Sequence, residues 1–65
     1  MNKEKAFRWF KKASDAGDGA ASHRVGRCYE EGIGVSQNIA QAMAFYQKAI
    51  RQGSTEALAR LAKIN

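Results

Sequence analysis

Apolar residues recur at helical spacing in four stretches separated by glycine, and this periodicity predicts four α-helices. In the first, about residues 3–16, Ala6, Trp9, Phe10 and Ala13 form one stripe. Glu4, Lys5, Arg8, Lys11, Lys12 and Asp15 lie mostly outside it. The second, about 18–31, carries Ala21, Val25, Cys28 and Tyr29. The third, about 38–52, carries Ile39, Ala42, Phe45, Tyr46 and Ala49, with Met43 and Ile50 on the flank. The fourth, about 54–64, carries Ala57, Leu58, Leu61 and Ile64. No stretch has the alternation of a strand. Asn2, Asp18 and Ser54 are predicted N-caps, because their short side chains accept from the orphan amides of a first turn. Gly17 and Gly53 are predicted helix ends. Gly26 sits inside the second helix, where glycine costs about 1 kcal/mol against alanine. It predicts close approach of another helix. The longest connection is Gly32-Ile33-Gly34-Val35-Ser36-Gln37, in which Ile33 or Val35 can tuck into the core.

The second half repeats the first. A shift of 36 residues places Asn2 on Asn38, Ala6 on Ala42, Lys12 on Lys48 and Ala13 on Ala49. It also places Gly17 on Gly53, Ala21 on Ala57 and Arg24 on Arg60. These seven identities exceed the roughly two that chance pairing gives at ordinary residue frequencies. The mismatches keep shape and polarity: Trp9 meets Phe45, Phe10 meets Tyr46, Val25 meets Leu61, Arg27 meets Lys63 and Gly26 meets Ala62. A helix pair with an apolar face it cannot bury alone stacks on the next pair, and the expected fold is an all-α, α/α superhelical solenoid of antiparallel helix pairs. The alanines keep helices close and the aromatic pairs Trp9-Phe10 and Phe45-Tyr46 are expected to fill the spaces between them.

The run Ala6, Trp9-Phe10, Lys12-Ala13, Gly17, Ala21, Val25-Gly26, Tyr29 and Gly32-Ile33-Gly34-Val35 resembles the Sel-one-like repeat (SLR), a relative of the tetratricopeptide repeat. The pattern resumes at Ala42, Phe45-Tyr46, Lys48-Ala49, Gly53, Ala57 and Leu61. The Gly-Ile-Gly-Val connection is its most specific piece. The pattern departs at the end, with Ala62 for a glycine and Asn65 for a tyrosine. Residues 1–65 are expected to form a single repeat domain, one complete central repeat flanked by two half repeats. The phase implies a piece cut from a longer array, or one that closes its open ends by self-association. The resemblance implies a non-catalytic protein–protein interaction scaffold that docks a partner on a concave face.

Composition narrows the alternatives. With 65 residues, 45% hydrophobic and 26% charged, the chain is one small globular unit. Such a chain buries only about 60% of its unfolded surface and is marginally stable. No run approaches the roughly 18 apolar residues of a membrane span. The start, Met1-Asn2-Lys3-Glu4-Lys5, lacks a signal-peptide pattern. The chain as written is therefore expected to be cytoplasmic, or exported or periplasmic if it is part of a longer exported protein. One cysteine and one histidine supply neither an internal disulfide nor a zinc site, and no cofactor is expected.

The net charge of +5 raises nucleic acid and anionic membranes as partners, chiefly through Lys3, Lys5, Arg8, Lys11 and Lys12. Trp9 and Phe10 occupy core positions of the repeat, however, so both partners are disfavoured. The favoured surface is a basic stripe of Arg24, Arg27, Arg60 and Lys63, repeated through the 36-residue shift and suited to an acidic peptide or carboxylate. The competing expectation is that Arg27 pairs with Glu31 and Arg60 with Glu56, leaving a solvated face. Catalysis is disfavoured. His23 and Cys28 do not share a helix face, Cys28 reads as a small core hydrophobe and His23 as a partly buried side chain. Glu30 and Glu31 are adjacent and project in different directions. Some cysteine-rich bacterial relatives are associated with penicillin binding or β-lactamase activity. Here alanines (Ala13, Ala49, Ala57) stand where such cysteines are expected, and no Ser-x-x-Lys occurs.

Overall fold

Each helix begins at a side-chain cap. The computed structural model describes residues 2–64, and Asn65, where the repeat pattern expects tyrosine, lies outside them together with Met1. Four helices follow in order: α1 (Lys3–Asp15), α2 (Gly19–Glu31), α3 (Ile39–Arg51) and α4 (Thr55–Ile64). Asn2 Oδ1 accepts from the amides of Glu4 and Lys5 at 2.8 and 3.3 Å. Asp18 Oδ1 accepts from Ala20 and Ala21, Asn38 Oδ1 from Gln41, and Ser54 Oγ from Ala57. The capping residues Asp18, Asn38 and Ser54 stand just outside the helices, which trims the expected starts of α2, α3 and α4 by one residue, and α1 and α3 also end one residue earlier than expected.

The exits of α1 and α3 are the same device used twice. The Asp18 amide donates to Ala13 O and the Gly17 amide to Ser14 O, at 3.1 and 3.0 Å. Thirty-six residues on, Ser54 donates to Ala49 O and Gly53 to Ile50 O, at 2.9 and 3.0 Å. Both are Schellman closures around a glycine with positive φ, 101° at Gly17 and 98° at Gly53. Three-residue connections of this kind return the chain beside the helix it has just left. After α2 the longer loop stays pinned to that helix: Ile33 donates to Cys28 O, Asn38 to Tyr29 O, and Gln37 Nε2 to Glu30 O.

The helices pack in chain order, α1 on α2, α2 on α3 and α3 on α4, most extensively between α2 and α3. The result is a short all-α, α/α solenoid. Its core centres on α3, where Ala42, Tyr46 and Ala49 are fully buried with Ala57 of α4. Tyr29, Ile50, Leu61 and Ile64 pack around them. Ala21, Val25 and Cys28 of α2 are also buried. Burying an aromatic side chain the size of Tyr46 contributes about 1.5–3 kcal/mol. Gly26 lets α2 approach, since a Cβ there would lie 2.7 Å from two Tyr46 ring carbons. An aromatic run crosses three helices, with Phe7 edge-on to Tyr29 at 5.4 Å and Tyr29 stacked on Phe45 at 5.8 Å.

The expected filling role of Trp9 is corrected: it is 70% exposed, and Phe10 is only half-buried. Ile39 and Leu58, read as apolar-face residues, are 42% and 57% exposed. The physical reason for Trp9 is the position of α1, which has a neighbour on one side only. Its counterpart Phe45 lies in the middle helix and is covered by Tyr29. α1 meets α2 instead through Phe7, Phe10 and the fully buried Ser14.

Candidate functional site

The four cations expected to form a stripe line two adjoining concavities. Arg24 and Arg27 line the smaller, about 180 Å³, with Phe10, Cys28 and Ile33. Arg27, Arg60 and Lys63 line an open groove of about 410 Å³ between α2 and α4, with His23, Glu56 and Ala59. Arg27 belongs to both, so the four are contiguous through it. They are not equivalent. The Arg24 guanidinium lies 5.5 Å from the Phe10 ring centroid, which turns it toward α1. Arg27 Nε contacts Glu31 Oε2 at 3.1 Å, the pairing expected from their spacing.

Arg60 departs from expectation. Its Nε lies 3.6 Å from Glu30 Oε1, not against Glu56. Glu30 is drawn there because the same oxygen accepts from the buried Tyr46 hydroxyl at 2.6 Å. A buried hydroxyl without a partner is costly, so Tyr46 holds Glu30 and Glu30 holds Arg60. The chain Tyr46–Glu30–Arg60 ties α3, α2 and α4 together. Burial first, then the bond to Glu30 and its charge, push the Tyr46 phenol well above its ordinary range. Glu30 and Glu31 diverge as expected, one to Tyr46 and one to Arg27. Among the described residues, neither Arg24 nor Lys63 has an acidic partner.

Sequence reasoning did not place two residues that shape this site, one lining the groove and one holding Arg60 beside it. His23 lies in the groove, with its ring 5.7 Å from that of Tyr46. Burial holds its pKa below 6.5; Arg60, Arg24 and Arg27 act in the same direction and Glu56 opposes. Glu30 was the other. The signal for it was available in the mismatch of Tyr46 with Phe10: a core tyrosine needs a hydroxyl partner where a phenylalanine does not. Among the described residues the buried polar side chains are engaged. Ser22 Oγ donates to Gln52 Oε1 and shares a hydrogen with Ser14 Oγ, both at 2.5 Å. Burial pushes the Cys28 thiol up, away from the reactive thiolate. Among the described residues no cluster of three or more His, Cys, Asp or Glu side chains could hold a metal. Among them, too, no helix is long and apolar enough to cross a membrane.

Comparison with known proteins places this geometry in context. The Sel1 repeat model matches residues 2–18 and 19–54. DAP3-binding cell death enhancer 1 of Rattus norvegicus is 36% identical over 61 residues, 94% of this chain and 12% of the relative. The Mus musculus protein of the same name is 40% identical over 61 residues, again 94% and 12%. Chitin synthase regulatory factor 2 of Schizosaccharomyces pombe is 33% identical over 64 residues, 98% of this chain and 12% of the relative. The chain thus spans about an eighth of the length of these relatives. No solved structure matches it significantly.

Proposed function

The chain belongs to the Sel1 repeat family, and on that premise we propose that it is a non-catalytic docking module whose α2–α4 groove receives an acidic segment of a partner protein. The observation that carries this reading is the lining: Arg27, Arg60, Lys63 and His23 against one carboxylate, Glu56. Both arginines are anchored through Nε, which leaves their terminal nitrogens as donors for a carboxylate. Lys63 adds a charge with no acidic partner among the described residues. The groove runs between two helices in equivalent positions of successive repeats, the arrangement from which a solenoid builds a concave side. The relatives' names fit: one is named for binding DAP3 and another for regulating chitin synthase, and both names describe action on another protein.

The test is titration with a hexaglutamate peptide, followed residue by residue by NMR. Shifts should centre on His23, Ala59 and Lys63, and a Lys63→Glu, Arg27→Glu double variant should lose about tenfold in affinity or more. Unchanged affinity in that variant, or shifts centred on Lys5, Lys11 and Lys12 of α1, would sink the reading. The second outcome would mean that the peptide merely follows the most densely charged helix.

A further inference from the structure

The two arginines of the α2–α4 groove meet their own carboxylates in different ways. Arg27 Nε lies 3.1 Å from Glu31 Oε2, a hydrogen bond on the open surface. Arg60 Nε lies 3.6 Å from Glu30 Oε1, an ion pair too long to be a hydrogen bond. Yet Arg60 is the less exposed of the two, at 26% against 51% for Arg27. With less water between them, a guanidinium and a carboxylate ordinarily close to a bidentate contact of about 2.7–2.9 Å. Here a third group holds them apart.

That group is the Tyr46 hydroxyl. It donates to the same oxygen, Glu30 Oε1, at 2.6 Å. Tyr46 is fully buried, so the hydroxyl cannot follow Glu30 elsewhere. Its bond to a carboxylate is charge-assisted and costly to leave unmade. Glu30 therefore stays with Tyr46 and meets Arg60 only loosely. In the 36-residue register Phe10 stands where Tyr46 stands, so this position of the repeat accepts a ring without a hydroxyl. The hydroxyl is an addition to the packing, and what it acts on is Glu30.

We propose that Tyr46 is a positioning residue of the groove: its hydroxyl holds Glu30 back from Arg60 and so keeps the Arg60 guanidinium available to a carboxylate of the acidic partner. The proposal rests on the groove reading and adds that partner and Glu30 compete for one guanidinium. Arg60 is where such competition counts most, because a contact there is screened less by water than one at Arg27. The other acidic residues near the groove do not take part in it. Glu31 is bound to Arg27, and Glu56 lines the groove without pairing with Arg60. Without its hydroxyl donor, Glu30 turns to the cation already beside it. The groove then loses a charge while every basic residue remains in place.

The experiment is calorimetric titration of hexaglutamate at pH 7 into the full chain, Tyr46→Phe, Glu30→Gln and the double variant, with helicity checked by circular dichroism. Glu30→Gln removes the competing charge but keeps an oxygen for the Tyr46 hydroxyl, and should tighten binding by about threefold or more. Tyr46→Phe should weaken binding by about fivefold or more. In the Glu30→Gln background the same change should leave affinity where Glu30→Gln alone puts it, because the carboxylate it would release is gone. A second readout needs no peptide. The Arg60 Nε–H resonance should move downfield in Tyr46→Phe, as the ion pair closes to a hydrogen bond, and should not move in the double variant. A loss from Tyr46→Phe that persists in the Glu30→Gln background overturns the proposal, since the hydroxyl then acts through packing. Weaker binding by Glu30→Gln overturns it too, by making Glu30 a helper of Arg60 and not its competitor. The Lys63→Glu, Arg27→Glu variant, titrated alongside, keeps the two readings distinct. If it loses affinity and Tyr46→Phe does not, the groove reading stands and this proposal falls. If neither loses affinity, the peptide binds elsewhere and both fall.

Discussion

Gly26 faces the Tyr46 ring so closely that a Cβ on it would meet two ring carbons at 2.7 Å and the Ala42 carbonyl oxygen at 3.2 Å. Tyr46 cannot retreat, because it is fully buried and its hydroxyl is held by Glu30. Two effects of a Gly26→Ala substitution therefore oppose each other. Alanine favours a helix interior by about 1 kcal/mol. Overpacking a well-filled joint costs about 1–3 kcal/mol. The contact wins because neither partner has room to move. Gly26→Ala should lower stability by up to about 2 kcal/mol, or up to roughly 16 °C in Tm for a domain this small. Urea and thermal unfolding measure it. A stabilised variant would mean that the α2–α3 approach is softer than the geometry states.

The Tyr46–Glu30–Arg60 chain makes a prediction at high pH. The folded-state pKa of Tyr46 is raised above its unfolded value of 10.0, chiefly by burial. A group raised in this way contributes stability that is complete below pH 10 and is lost as pH climbs through the folded pKa. The wild-type chain should therefore lose stability above pH 10. Tyr46→Phe should lose about 1–2 kcal/mol at neutral pH, since Glu30 gives up its hydroxyl donor. Its alkaline slope should be the shallower of the two. Urea midpoints at pH 7, 9 and 10.5 separate the two effects, and equal slopes would show that Tyr46 does not govern the alkaline limb.

His23 is the only histidine, so its imidazole signals are unambiguous by proton NMR. Its pKa lies below 6.5, with burial as the first cause and three arginines adding to it. Because the folded value is depressed, the unfolded chain binds more protons in the window just below pH 6.5. Stability should therefore be complete above that pH and decline as pH falls through the folded pKa. An acidic peptide in the groove reverses the local field and should raise the His23 pKa. A titration midpoint at or above 6.5 in the free chain would contradict the burial, and a midpoint unmoved by peptide would place the peptide elsewhere.

How much of this was legible beforehand depends on the range of each interaction. Caps and exits are local, and Asn2, Asp18, Ser54, Gly17 and Gly53 announce them within four residues. The 36-residue register is equally plain, because the Schellman closures recur with the glycines. Which face of a helix is covered is not local. Trp9 and Phe45 read as one position in the pattern, yet one is exposed and the other packs on Tyr29, because α1 has a helix on one side and α3 has helices on both. The partner of Arg60 is likewise decided at a distance. Glu56 was the natural choice at one helical turn, but the buried Tyr46 hydroxyl fixes Glu30 and sets a carboxylate beside Arg60 from 30 residues away. Pattern reading finds the repeat; it does not find the cross-links that a mismatch within the repeat makes necessary.

The buried serines test that last point most directly. Ser14 and Ser22 are fully buried and share a hydrogen bond at the joint of α1, α2 and the end of α3, where Gln52 completes the network. In the register their counterparts are the apolar Ile50 and the exposed Leu58, neither of which carries a hydroxyl. The polar version is thus a choice made once, not a requirement of the repeat. Ser22→Ala strands the Ser14 hydroxyl in the core and should cost about 1–3 kcal/mol. Ser14→Ala alone removes a donor whose acceptor, Ser22, still has Gln52, and should cost less, about 1 kcal/mol. The double variant removes both hydroxyls and leaves Gln52, which is only half-buried and can turn to water. It should therefore be more stable than the sum of the single losses by about 0.5–2 kcal/mol, measured as a double-mutant cycle in urea. Strict additivity would show that the two hydroxyls act independently and that the network is a coincidence of packing.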